Sequence, residues 1–191
     1  MKKLLSLTII ILLIGLYSGC GSKSEVSVLQ ERVDSLQTAL KAYTTDQAIT
    51  HTRLTRFDSL DFNFYSNQQW DQLAISHDAG IQVFYPDGSM SLGLPTHIDQ
   101  LKPLFVFAPD TKITNHRVKF GSGDWTAVIG DIQGTFTQPM PLTGTEGSKT
   151  IPPTNKPFKF SMCTIGHWKE GKMTEEYLFW DNQAFMKQIG L

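Results

Sequence analysis

The chain has 191 residues, 17 basic and 18 acidic, with a formal net charge of −1. That balance offers no basic face and argues against nucleic acid as a partner. Its two cysteines stand far apart, and there is no CxxC, HExxH or clustered His/Asp/Glu set, so no metal and no cofactor is expected.

Lys2 and Lys3 precede an apolar run from Leu4 to Leu16 that is too short to span a bilayer comfortably. A basic start, a short apolar run and small residues before a cut site mark a secretory signal peptide. Ser18-Gly19-Cys20 resembles a bacterial lipoprotein lipobox, although Tyr17 stands where a Leu is usual. The resemblance implies a lipidated Cys20 and a cell-envelope protein held on a membrane, facing the periplasm or the cell exterior. An uncleaved anchor and a plain signal peptide are the alternatives. Cutting after residue 19 removes Lys2 and Lys3, leaving 15 basic against 18 acidic residues, a net charge of −3. Cys163 is then the one free thiol.

Gly21 to Glu25 is small and polar and reads as a tether. Val26, Leu29, Val33, Leu36, Leu40 and Tyr43 then recur at spacings of three and four. That seam fits a short coiled coil or a single amphipathic helix. The expected organisation is therefore a signal peptide over 1–19, a tether and helix over 20–46, and one domain over 47–191.

A helical pattern continues from Gln47 to Ser66, and a second short helix is expected from Gln69 to Ser76. Ile81 to Tyr85 alternates like a strand and ends at the turn signal Pro86-Asp87-Gly88. Ile98 to Phe107 reads as a third helix. Strand-like runs follow at Lys112–Phe120, Trp125–Thr137, Phe158–Trp168 and Met173–Trp180, two pairs of them joined by hairpin-length turns. Helices first and antiparallel strands after them predict an α+β domain with helices on one face of a sheet. The Pro/Gly/Thr/Ser stretch from Gln138 to Thr150 reads as a long surface loop, either a lid or disordered.

Four stretches occur in order: "GTFT" at Gly134–Thr137, "IPPTNKP" at Ile151–Pro157, "KEGKMTEEYLFWD" at Lys169–Asp181 and "MKQIGL" at Met186–Leu191. With "FAPD" at Phe107–Asp110 they resemble the SnoaL-like polyketide cyclase (ester cyclase) family. That resemblance implies the nuclear transport factor 2-like cone, a curved antiparallel sheet wrapped around helices. Asn155 falls where the family often has Gly, acceptable because Asn tolerates a left-handed backbone. The family's proton-transfer acid falls on Leu178, and its two histidines fall on Thr164 and Phe136. The resemblance therefore lends a fold and withholds the cyclase mechanism.

On the last strand Thr174, Glu176, Leu178 and Trp180 share one face by alternation, and alignment with the cyclases turns that face inward. The expected pocket wall comprises Tyr65, Tyr85, Phe136, Met162, Thr164, Leu178 and Trp180. Glu176 and His116 are the candidate acid–base pair, the carboxyl with a pKa raised by burial. A wet-rim carboxylate and a satisfied core histidine are their bland alternatives. His77-Asp78 reads as a helix-ending turn, His97 and His167 as exposed, and Cys163 as buried packing. Three functions stay open: binding of a small, largely apolar molecule; a cyclase, isomerase or hydrolase; or a non-catalytic interaction module. A homodimer is expected through the outer sheet face, which carries Tyr177 and Phe179.

Overall fold

A computed structural model describes residues 24–142 and 149–191, so the leader, Cys20 and the middle of the 138–150 loop lie outside the described residues. No helix among the described residues is long and apolar enough to cross a membrane. The chain divides into two compact units at Thr44/Thr45. Helix α1 (Glu25–Ser59) runs through that division. In the first unit it carries the apolar seam, and Val26, Leu29, Val33, Leu36, Leu40 and Tyr43 are all exposed there.

In the second unit α1 passes into a π-helix (Leu60–Tyr65) and then a 3₁₀ helix (Trp70–Ile75). The wider π turn shows in backbone bonds from Ser66 N–H to Asp61 O and from Gln69 N–H to Phe64 O. The remaining elements are β1 (His77–Phe84), β2 (Met90–Leu92), α2 (Leu94–Phe107), β3 (Lys112–Ser122), β4 (Trp125–Thr135), β5 (Met140–Pro141), β6 (Thr150–Ile151), β7 (Pro157–Lys169), β8 (Lys172–Phe179) and α3 (Asn182–Ile189). Six strands form one sheet in the order β2-β1-β8-β7-β4-β3.

The β3, β4, β7 and β8 strands follow hairpin logic, each antiparallel to its neighbour. Glu170 (φ 50) and Gly171 (φ 79) both adopt the left-handed backbone that a two-residue turn between twisted strands requires. β1 departs from the expected all-antiparallel sheet, because it pairs parallel with β8. The two strands are separated by most of the domain, so no hairpin dictates their direction. Two elements begin earlier than their sequence patterns suggest: β1 at His77 and α2 at Leu94. The 138–150 loop is also more ordered at its ends than a plain lid or disordered segment, since β5 and β6 pair there.

One face of the sheet packs on the helices. Phe57, Leu73, Ile81, Val83, Val128, Trp168 and Met173 are buried together, and Trp168 Nε1–H donates to Thr126 Oγ1 at 2.7 Å. Phe107, Phe136, Phe158 and Ile189 form a second cluster, and Tyr65, Phe105, Ile113 and Ile132 a third. α3 closes the chain with Asp181 Oδ1 accepting from Ala184 N–H at its start. Gly190 at φ 86 ends it.

Candidate functional site

Members of the first and third core clusters leave a cavity of about 210 Å³ between them. Leu60 and Tyr65 come from the π-helix, Leu101 and Leu104 from α2, and Ile113, Ile132, Phe160 and Met162 from the sheet. Leu178, Trp180 and Phe185 complete an apolar wall. Into this wall the fold sets two carboxylate–histidine clusters.

The first joins three elements. Glu176 on β8 is 4% exposed, His77 at the start of β1 is 3%, and His97 in the first turn of α2 is 2%. The parallel pairing puts Val83 of β1 opposite Glu176, which brings His77 and the following helix to the carboxyl. Glu176 Oε2 lies 3.3 Å from His97 Nε2 and 3.6 Å from His77 Nε2. The His77 Nδ1–H donates to Leu73 O at 3.0 Å. His97 Nδ1 meets Tyr85 Oη at 3.1 Å, and Tyr85 Oη meets Ser91 Oγ at 3.1 Å. Yet His77 Nε2 and Glu176 Oε2 are buried without a hydrogen-bond partner.

Electrostatics follow the crowding. Burial pushes the His97 imidazole down to about 4, with Glu176 pulling it up and His77 adding to the fall. Burial also pushes the Glu176 carboxyl up, but His77 and the charge of both histidines pull it down by more, below the ordinary glutamate value. At 3.6 Å the His77 contact is too long for a hydrogen bond. The expected raised pKa of Glu176 is thereby reversed: burial alone predicts a rise, and two unforeseen histidines overturn it.

The second cluster is closed. Asp61, on the π-helix, reaches the cavity and holds His116 Nε2 at 2.7 Å. His116 Nδ1 holds Asp58 Oδ1 at 2.9 Å, and Lys119 Nζ donates to Asp58 Oδ2 at 2.6 Å. Burial lifts the Asp61 carboxyl above its ordinary value despite the bond to His116. His116 is pushed down by burial and raised by more through Asp61 and Asp58. The chain of contacts runs from the cavity wall to the part-exposed Asp58 and Lys119.

The structure brings most of the expected wall together: Tyr65, Tyr85, Met162, Thr164, Leu178 and Trp180 all line the cavity. Phe136 does not, being fully buried in the second cluster against Phe107. Glu176 faces inward, but Thr174 does not share its burial; a register irregularity between His167 and Trp168 turns Met173 inward instead. His116 never meets Glu176 as a pair. Irregularities on both sides of it in β3 break the simple alternation, and its ring reaches the cavity only through Asp61. His97 is buried, not exposed, and His77 opens a strand instead of ending a helix. Cys163 is half-buried, not sealed in the core. The absence of a His/Asp/Glu cluster in the sequence is undone by the fold, which gathers His77, His97 and Glu176.

The family model for SnoaL-like polyketide cyclases matches residues 59–189. Among curated proteins none matches the chain. Solved structures share the fold. A protein described as a SnoaL-like polyketide cyclase from Jannaschia sp. CCS1 superposes with TM-score 0.63 at 18% identity, covering 74% of this chain and 93% of its own. IdmH from Streptomyces antibioticus, described as a polyketide cyclase, gives 0.61 at 18% identity over 73% of this chain and 99% of its own. A protein with a ketosteroid isomerase-like fold from Catenulispora acidiphila, solved with trimethylamine, gives 0.53 at 13% identity over 73% and 92%. At these identities the likeness establishes the fold alone.

Proposed function

The chain belongs to the SnoaL-like polyketide cyclase family, and we propose that it binds a small, largely apolar molecule in the cavity while a lipid on Cys20 holds it on a bacterial membrane. One observation carries the binding reading: an apolar cavity of about 210 Å³ with a buried polar pole at Glu176, His77 and His97. Such a site gains affinity from apolar burial and orientation from a few polar groups. Its volume lies below the roughly 300–1,000 Å³ of drug-sized sites, which points to a compact ligand. A panel of small aromatic alcohols and ketones, followed by quenching of Trp180 fluorescence, tests it. The wild type should saturate with at least one of them, and Met162→Trp should abolish that binding with the fold intact. No saturation by any member, or unchanged binding after the cavity is filled, ends the reading.

A second reading, acid–base catalysis, is favoured by the Asp61–His116–Asp58–Lys119 chain, which gives a cavity carboxyl a route for protons to the surface. It replaces the Glu176–His116 pairing with Asp61 as the group that faces a ligand and His116 as its positioning residue. Turnover of a bound panel member should then be lost in Asp61→Asn with binding retained. Equal turnover in that variant rejects it.

The outer sheet face supports a homodimer. Phe84 stacks on Tyr177 at 4.6 Å, Trp125 on His167 at 4.2 Å, and Phe179 is 50% exposed beside them. Trp125 and Phe179 are exposed and Phe84 and Tyr177 half-buried, and such an aromatic band suits an interface. Phe179→Lys should shift the protein to monomer in sedimentation; a wild type already monomeric at high micromolar concentration removes the idea. Cys20→Ser should release the protein from membranes or leave an unprocessed precursor, since acyl methylenes contribute about 0.8 kcal/mol each to anchoring. Unchanged fractionation and maturation would remove the lipid anchor.

A further inference from the structure

We propose that His77 Nε2, His97 Nε2 and a Glu176 carboxylate oxygen bind one divalent transition-metal ion of the zinc or ferrous kind, with a coordination position open to the cavity. The three donor atoms lie within 4.8 Å of one another. Glu176 Oε2 stands 3.3 Å from one imidazole nitrogen and 3.6 Å from the other. Tetrahedral bonds of about 2.0–2.2 Å place neighbouring donor atoms roughly 3.4 Å apart, which the two carboxylate–imidazole spacings match, while the imidazole pair, within 4.8 Å, is near enough to close on an ion.

The hydrogen bonds around the cluster point the same way. Leu73 O can only accept, so His77 Nδ1 carries a proton toward it, with Ser76 Oγ also at 3.2 Å, and Nε2 is the nitrogen turned to the cluster. His97 can do likewise, with Nδ1–H donating to Tyr85 Oη and the Tyr85 hydroxyl donating to Ser91 Oγ. Carbonyl and hydroxyl partners on the outer nitrogen are what orient metal-binding histidines and fix their tautomer. A plain hydrogen-bonded cluster would instead close up, as the 2.7 and 2.9 Å bonds of His116 do. Here His77 Nε2 and Glu176 Oε2 are buried and unpartnered, and an unsatisfied buried pair calls for a missing partner.

Chemistry selects the ion class. Two imidazoles suit zinc, iron, copper or nickel better than calcium or magnesium, which favour all-oxygen shells. Two neutral imidazoles and one carboxylate leave a dication with a single positive charge. No fourth His, Cys, Asp or Glu joins the group among the described residues. The remaining position faces the space lined by Leu178 and Trp180, where a water or the oxygen of a bound molecule could complete the shell.

The proposal uses the same polar pole as the pocket reading but requires no organic ligand, so the two fail separately. Full-length protein, extracted in detergent and stripped with a chelator, is titrated with zinc alone and with cobalt(II) alone. One equivalent should bind per chain, and cobalt should give the visible absorption of a low-coordinate N/O site. Glu176→Gln and His97→Gln should each weaken zinc binding by more than about tenfold. Tyr85→Phe, which removes only the hydroxyl behind His97, should weaken it by about ten- to a hundredfold at most. His51→Gln, on the exposed face of α1, should change nothing. No stoichiometric uptake by the folded wild type overturns the site. So does uptake that persists in Glu176→Gln and Tyr85→Phe, which would assign the ion to surface histidines. Should His97→Gln fail to fold, the other two variants decide. Panel binding by metal-free protein that takes up no zinc would keep the pocket and end the metal site.

Discussion

Two carboxylate–histidine clusters share one cavity wall and differ in how completely they are satisfied. In the Asp61–His116–Asp58–Lys119 chain every contact is 2.9 Å or shorter. In the Glu176–His77–His97 group the contacts are 3.3 and 3.6 Å, and two polar atoms have no hydrogen bond. The same residue types thus do two jobs. The closed chain ties α1 and the π-helix to β3, whereas the open group holds its donors apart around a gap. Stability should depend on the first, and recognition on the second.

Breaking each cluster in turn sharpens that difference most. His116→Gln leaves Asp61 and Asp58 without their shared ring, a side chain that is 1% exposed. Removing one partner of a buried charged pair costs about 3–5 kcal/mol, and the melting temperature should fall accordingly. Glu176→Gln removes a charge whose Oε2 makes no hydrogen bond, so its stability cost should stay within about 1 kcal/mol. Urea unfolding of both variants checks this. Equal losses would mean that the clusters are not different in kind.

The pH dependence of stability separates them next. His116 is pushed down by burial and raised by more by Asp61 and Asp58, so its folded value stands above the ordinary histidine value. The folded protein then holds a proton that the unfolded chain gives up. Its contribution is complete below about pH 6.5 and is lost as pH rises through the folded value. Asp58 runs the other way: burial raises it, Lys119 and His116 lower it by more, and its contribution is lost as pH falls below the carboxylate range. Asp61, raised chiefly by burial, feels Glu176 and His77 as well as His116, and its ionised form is a cost. Unfolding free energy should therefore decline from pH 6.5 upward in the wild type. His116→Gln should flatten that decline, and an unchanged slope would remove His116 from the account.

The closed and open clusters were not equally legible in the sequence. Alternation from Leu178 is enough to turn Glu176 inward, because side chains two apart on a strand share a face. The turn at Gly171 and the hairpins around it follow from local residue chemistry as well. His97 was hidden by a late helix start. Begun at Leu94, with Gly93 before it and Pro95 in its first turn, α2 puts Leu94, His97, Leu101 and Phe105 on one stripe. His77 shares its parity with Ile81 and Val83, the buried positions of β1, once the strand is extended back to it. Their meeting with Glu176 could not be read locally. It depends on the parallel pairing of β1 with β8, a contact across nearly a hundred residues. The Asp61–His116 bond depends on a π turn and two strand irregularities, and none of these leaves a periodic mark.

The smallest expected effect concerns Glu175, the neighbour that alternation turns outward. Its carboxylate accepts from Tyr177 Oη–H at 2.7 Å and meets His167 Nδ1 at 3.1 Å, while Trp125 stacks on that histidine. Tyr177 first, and then His167, hold the carboxyl below its ordinary value. With a third of the side chain exposed, water screens these contacts, and each is worth under about 1 kcal/mol. Glu175→Gln keeps an oxygen that can still accept from Tyr177. Its unfolding free energy should shift by about 0.5 kcal/mol or less, and its zinc and panel binding should match the wild type. Glu176→Gln, one residue along the strand, should cost up to about 1 kcal/mol and weaken the zinc binding that Glu175→Gln leaves intact. A loss of cavity binding in Glu175→Gln would show that the two faces of β8 communicate. The open cluster could then no longer be treated as a site set apart from the outer face.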